Sequence, residues 1–128
     1  VLAQDVDTGE LAYKPIIGRT VRPPSKSGRL TVSYANEGNE EIQTTLGHPL
    51  WVAGVGWRMA KELGDGAILH SVGGPARIES IAAADEIEAY NLVVADFNTY
   101  FVGETGILAH DNTPRAPTAA VVPGLAAD

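Results

Sequence analysis

Glycine and proline divide this chain into short apolar segments, and this spacing limits its possible folds more than any other feature. Fourteen glycines and eight prolines occur among the 128 residues. The segments between them are rich in Val, Ile, Tyr and Phe, as is typical of all-β domains with frequent turns. We therefore predict an all-β fold with strands within 1–5, 11–22, 30–34, 41–45, 50–53, 67–72, 76–83, 89–95, 99–102 and 106–109.

Several segments depart from this strand pattern. Pro-Pro-Ser-Lys-Ser-Gly at 23–28 predicts a loop, and residues 36–39 predict a turn. Trp-Arg-Met-Ala-Lys-Glu-Leu at 57–63 has the best helical propensity in the chain, so a short helix is predicted before Gly64. Residues 113–128 are rich in Pro and Ala and are expected to form an extended, weakly ordered tail. These assignments give one folded domain over residues 1–112 and a C-terminal tail.

The composition excludes several functional classes. A formal net charge of −7 argues against nucleic acid as a partner, because phosphate binding needs clustered Lys and Arg. No apolar run approaches the roughly 20 residues that would span a bilayer, so no membrane partner is expected. The chain contains no cysteine, which excludes disulfides, thiolate metal sites and a cysteine nucleophile within these residues.

The three histidines do not form a metal-binding pattern. His48, His70 and His110 are far apart in the sequence, and neither H-x-H nor HExxH occurs. Phosphate-binding and nucleophile-elbow motifs are also absent. We therefore expect neither metal nor cofactor, and we assign His70 to a strand surface without a functional role.

Two short motifs could carry chemistry. Taken alone, Thr45-x-x-His48 suggests a strand end and a turn, and His110-Asp111-Asn112 suggests a polar turn before the tail. Together they place one histidine after each of two β-like runs. The second histidine, His110, is followed by Asp and Asn, whose side chains can attack their own backbone. Histidine transfers protons near neutral pH, and peptide cleavage without a metal needs such a group. The pair therefore favours a domain that processes its own chain.

The surrounding residues resemble the Hint domain, the self-cleaving fold of inteins, hedgehog proteins and the intein-like domains of bacterial polymorphic toxins. The resemblance covers about residues 1–112 and is carried by 1–5, 8–10, 47–52, 56–57 and 90–103. It implies a horseshoe of curved antiparallel strands with pseudo-two-fold symmetry. It also implies a place in a larger bacterial protein, with secretion or the cell surface among the options.

The resemblance also implies roles for individual residues. In the family, an N-terminal Cys or Ser attacks the preceding carbonyl, and Thr45 and His48 match the pair that polarises that bond and protonates the leaving amine. A later histidine assists, and His110 matches the one that helps a terminal Asn cyclise and cut the chain. Such a reaction is autocatalytic and runs once per molecule.

The sequence departs from the family pattern in three places. The Cys-led segment expected before Val1 is absent, so it was trimmed, was removed by processing, or is supplied in trans as in a split intein. Asn98 stands where a histidine is usual. Asp111 stands where the terminal Asn is expected, with Asn112 one residue later. Cleavage could therefore follow Asp111 through its carboxylate, could follow Asn112 by cyclisation, or could have been lost.

We predict a self-processing Hint domain acting on its own flanking polypeptide, with an N-terminal intein-like fragment in trans as one variant. Its first alternative is a degenerate Hint module kept as a structural element. A generic β-rich binding module is the second. The predicted site is a cleft that brings together Thr45, His48, Asn98, His110 and Asp111, with Asn112 at its edge.

Overall fold

The computed structural model describes residues 1–34 and 38–111. Asn112, the predicted tail at 113–128 and part of the predicted turn at 36–39 lie outside the described residues. The described chain is almost entirely β-structure, which confirms the predicted fold class. Its strands are β1 (Leu2–Gln4), β2 (Leu11–Tyr13), β3 (Ile16–Tyr34), β4 (Gly38–Thr45), β5 (Pro49–Val52), β6 (Gly56–Met59), β7 (Ile68–Leu69), β8 (Ala76–Val94), β9 (Thr99–Val102) and β10 (Ile107–His110).

Eight of these strands form one curled antiparallel sheet. Its order is β4-β3-β8-β7-β5-β10-β9, and β6 pairs with β5 outside this path. Strands β1 and β2 form a separate two-stranded sheet. The backbone N–H of Gln4 in β1 donates to Thr99 Oγ1 in β9 at 3.0 Å, which ties the small sheet to the large one.

Two strands are longer than predicted. β3 and β8 each span 19 residues and pair from Ile16↔Val94 to Tyr34↔Ala76. The predicted loop at 23–28 is therefore wrong, and the two strands predicted at 76–83 and 89–95 are one. The two prolines fall at a register shift between Arg22 and Ser25, where a bulge relieves the need for a proline N–H.

The helix predicted at 57–63 is also wrong. Gly56–Met59 is strand β6, and only Ala60–Glu62 forms a turn of 3₁₀ helix. Trp57 pairs with Trp51 across β5 and β6, and their rings meet edge to face at 5.1 Å. Burial of both indoles outweighs a local helical preference of a few tenths of a kcal/mol per residue.

The core holds the end of the chain's last described strand in place. The largest buried cluster draws on β3, β5, β7, β8 and β10, and a second one joins Trp51 and Trp57 to Leu108. All four residues of β10 (Ile107–His110) are buried. The polar residues His110 and Asp111 at the end of β10 are therefore held in place by the packing of the strand residues before them.

Candidate functional site

The end of β10 places Asp111 inside the domain. Its side chain is fully buried, and its carboxylate oxygen Oδ2 accepts the backbone N–H of Val94 at 2.7 Å. Asn98 Nδ2 lies 3.4 Å from the same oxygen, and the Asp111 backbone N–H donates to the Asn98 carbonyl at 2.9 Å. Asn98 thus contacts Asp111 through both its backbone and its side chain. The carboxylate is held in one orientation by a backbone N–H from the end of β8 and a side-chain amide from the connection between β8 and β9.

The conformation of Asn98 makes this double contact possible. Asn98 has a φ of +56°, in the left-handed region that Asn adopts more readily than most residues. Its side chain also donates to the Val94 carbonyl at 3.1 Å. The residue therefore bridges the end of β8 to Asp111.

His110 points back at the carbonyl of the residue that follows it. Its Nδ1 lies 2.9 Å from the backbone oxygen of Asp111 and 3.6 Å from Asp111 Oδ1. A carbonyl oxygen can only accept, so Nδ1 carries the hydrogen. The Trp57 ring packs against the imidazole at 4.9 Å and fixes its plane. This donor is directed at the carbonyl group of the bond between Asp111 and Asn112.

His48 approaches the same place from the other half of the sheet. It lies in the turn between β4 and β5, where its backbone N–H donates to the Thr45 carbonyl at 3.2 Å. Burial lowers the pKa of His48, and the neighbouring charges of His110 and, to a smaller extent, Arg22 lower it further. A hydrogen bond to the His110 backbone partly offsets these effects on the pKa. The two histidines therefore compete for a proton across the site.

The ring nitrogen Nε2 of His48 has the capacity for one more hydrogen bond. His48 Nε2 is buried and makes no hydrogen bond within the part of the chain that the structure describes. A buried polar atom without a partner is costly in a folded protein and commonly marks a functional position. The His48 ring also meets the Tyr100 ring edge to face at 6.3 Å.

A cavity of about 290 Å³ opens beside His48. Thr45, His48 and Tyr100 line it together with apolar side chains of the core. Burial raises the pKa of Tyr100 to about 12, and the negative charge of Asp111 adds to this effect. Tyr100 therefore keeps its hydroxyl proton at neutral pH, and it lines the cavity while it senses the charge of the Asp111 carboxylate.

The structure brings most of the sequence-predicted residues together. Asn98, His110 and Asp111 are joined by hydrogen bonds, and His48 interacts with His110. Thr45 lies at the start of the turn that carries His48, and it lines the cavity beside His48. Asn112 lies outside the described residues.

Some contributors were not predicted from the sequence as site residues. Trp57 and Tyr100 contribute aromatic rings that pack on the two histidines, and Val94 contributes only a backbone N–H. A backbone donor has no signature in the sequence. The positions of the two aromatic rings depend on strand pairing that local patterns do not specify.

His70 is not the surface residue that we predicted. It is half-buried, and its Nε2 lies 2.8 Å from Gln4 Oε1. Gln4 Nε2 in turn donates to the Gly9 carbonyl at 2.9 Å, which leaves the Gln4 oxygen to accept from the imidazole. His70 therefore fastens β1 to the large sheet, and burial lowers its pKa.

The lowered pKa values of His48 and His70 predict that the domain loses stability in mild acid. Both side chains return to a pKa of about 6.5 on unfolding, so the unfolded state binds more protons as the pH falls below that value. The free energy of unfolding then decreases with falling pH. We expect Tm to decline from about pH 7.5 to about pH 5.5, and to decline less in a His48→Gln variant. An equally steep decline in that variant would contradict this assignment.

The described residues also bear on metal binding and on membrane spanning. Within 1–34 and 38–111, no group of three or more His, Cys, Asp or Glu side chains is arranged to hold a metal ion. In the same ranges, no helix has the length and apolar character needed to cross a membrane.

Comparison with known families identifies the family to which the chain belongs. Residues 1–112 match the family model described as the pretoxin HINT domain. The chain belongs to the pretoxin HINT domain family. Inteins, which share this fold, are self-processing domains, and the Hint resemblance predicted from the sequence is thereby confirmed.

Solved structures of Hint domains agree with this assignment. A bacterial intein-like domain from Clostridium thermocellum is 31% identical and superposes with a TM-score of 0.77, covering 87% of this HINT domain chain and 80% of that one. An intein from a hyperthermophile is 20% identical, with a TM-score of 0.73 and coverages of 87% and 70%. A DnaB intein from Synechocystis is 18% identical, with a TM-score of 0.72 and coverages of 88% and 78%.

The last two similarities concern the fold alone, because the sequence identities are low. No curated protein sequence matches the chain.

Proposed function

We propose that this HINT domain cleaves its own backbone between Asp111 and Asn112. The observation that carries the proposal is the 2.9 Å contact between His110 Nδ1 and the Asp111 carbonyl oxygen. A hydrogen-bond donor at that position stabilises the negative charge that develops on the oxygen when the carbonyl carbon is attacked. Since the contact is to Asp111, the geometry favours the bond after Asp111 over the bond after Asn112.

The nucleophile in this proposal is the side chain of Asp111. Oδ2 accepts the Val94 N–H, and Oδ1 lies 3.6 Å from His110 Nδ1, beside the reacting carbonyl, so we assign the attack on the carbonyl carbon of the same residue to Oδ1. The carbonyl oxygen becomes an oxyanion that accepts from His110 Nδ1. The bond from the carbonyl carbon to the Asn112 nitrogen then breaks and leaves a five-membered cyclic anhydride on Asp111.

The leaving nitrogen needs a proton, which the histidine pair supplies. In this proposal the acid is His110 as an imidazolium, whose ring hydrogen lies beside the reacting carbonyl, and His48 stays neutral next to it because burial lowers its pKa. The proton moves to the Asn112 nitrogen as the bond breaks, so the departing segment leaves as an amine. Water then opens the anhydride and restores the Asp111 side chain together with a new terminal carboxylate. The net reaction is hydrolysis of one peptide bond.

The N-terminal reaction of the family depends on residues outside this chain. These 128 residues contain no cysteine, so a thiol that begins an acyl shift would have to be supplied by the flanking polypeptide or by an N-terminal fragment in trans. Thr45 and His48 are the residues proposed to act on that bond. Their place beside the 290 Å³ cavity gives such a segment room to approach.

The test is the intact mass of a chain extended beyond Asp128 by a folded reporter domain. At neutral pH we expect a product that ends at Asp111, together with a reporter fragment that begins at Asn112. A product heavier by one asparagine residue would instead place the cut after Asn112 and overturn the proposed register. A single uncut mass over several days would support the alternative function, a Hint module kept as a structural element.

A further inference from the structure

One carboxylate outside the site binds the turn between β9 and β10. Glu40 of β4 accepts the backbone N–H of Glu104 on Oε2 at 2.5 Å, and Oε1 lies 3.4 Å from the backbone N–H of Thr105. The Tyr34 hydroxyl donates to Oε1 at 3.0 Å. Hydrogen bonds from backbone N–H groups to a carboxylate are charge-assisted and roughly twice as strong as neutral ones.

The turn is shaped to receive this side chain. Gly103 has a φ of +81°, a conformation that favours glycine, and a Cβ on it would lie 2.6 Å from Glu40 Oε2. Any other residue at position 103 would therefore displace the carboxylate. The glycine and the glutamate together form one joint between two strands.

This joint connects the two ends of the sheet. β4 and β9 are the first and last strands in the order of the large sheet, so the contact holds the curled sheet closed. β4 ends at Thr45, beside the turn that carries His48. β10 ends at His110, and β9 carries Tyr100. The joint therefore fixes the strand leading to His48 against the hairpin that carries the rest of the site.

Glu40 acts at a distance from the chemistry. Strand β10, which spans about 10 Å, separates the β9–β10 turn from His110. We infer that Glu40 is a positioning residue, which sets the placement of His110 and Asp111 relative to His48 by holding the β9–β10 turn. This inference rests on the proposed cleavage. Small errors in the placement of reacting groups reduce rates by large factors, so the expected effect is on rate.

The test compares Glu40→Ala and Glu40→Gln with Glu41→Ala as the matched control. Glu41 is the next residue on β4 and forms an exposed ion pair with Arg29 at 2.9 Å. We expect Glu40→Ala to slow cleavage after Asp111 by about tenfold or more. Glu40→Gln keeps an oxygen that can accept one backbone N–H, so it should recover part of the rate. Glu41→Ala should cleave like the unmodified chain.

A second readout separates this inference from the proposed function. Nitrogen chemical shifts of the His110 ring, measured by NMR on uncut chains, report whether Nδ1 still donates to the Asp111 carbonyl. We expect these shifts to change in Glu40→Ala, less in Glu40→Gln, and not in Glu41→Ala, even if no chain is cut. If Glu40→Ala does not fold, Glu40→Gln alone decides the question. Unchanged His110 shifts in folded Glu40 variants would overturn the inference.

Discussion

Replacing Asp111 with asparagine accelerates cleavage after residue 111, on the order of 100-fold, or a barrier lower by about 2.7 kcal/mol. The side-chain oxygen of asparagine can keep the place of Oδ2 as acceptor for the Val94 N–H. The amide nitrogen then takes the place of Oδ1, beside the carbonyl that His110 polarises. Its attack gives a succinimide, which is far less readily reopened by the released amine than an anhydride.

The measurement is the rate of product formation followed by intact mass. Asp96→Asn is the matched control, because Asp96 is an exposed residue of the β8–β9 connection that pairs with Lys14 at 3.1 Å. This change should leave the rate unaltered. An Asp111→Asn chain that cleaves no faster than the original would argue against position 111 as the source of the nucleophile.

Replacing His110 with alanine reduces cleavage by about 100- to 1,000-fold, the usual loss when one donor to an oxyanion is removed. The variant loses the imidazole nitrogen that lies 2.9 Å from the Asp111 carbonyl oxygen. It also leaves a space beside Trp57 that a small molecule of the same shape can fill. Added imidazole should therefore restore part of the rate.

His70→Asn is the comparison for this second prediction. His70 is half-buried, whereas His110 is buried, and the hydrogen bond of His70 is with Gln4, outside the site. This variant should melt at a lower temperature and yet cleave at the original rate while it is folded. Equal losses of rate in the His70 and His110 variants would indicate that folding, and not catalysis, accounts for both.

The sequence predicted those features that depend on local chemistry. β-prone segments between turn residues indicated the all-β class, and the resemblance to the Hint domain implied that His48 and His110 share one site. Strand bounds were less predictable, because Pro23 and Pro24 read as a loop and yet lie at a bulge in a 19-residue strand. Pairing with β8 supplied the stabilisation that the local sequence lacks.

Features built by distant segments could not be predicted in this way. The helical preference around Trp57 is real but small, and the edge-to-face packing of Trp57 on Trp51 outweighed it. Glu40 resembles any exposed acidic residue of a strand until the sheet curls and brings the turn at Glu104 to it. Contacts between backbone groups and side chains more than 60 residues apart leave no pattern in either segment.

The complete burial of β10 determines what would become of the domain after the proposed cleavage. No pairing among the described strands depends on the bond that follows Asp111, so a cut there removes the downstream chain without opening the core. The cleaved domain would stay folded, and its new terminal carboxylate would lie beside the side-chain carboxylate of Asp111. Rejoining would be opposed by that charge, and clearance of the spent module would require a protease able to attack an intact β-structure.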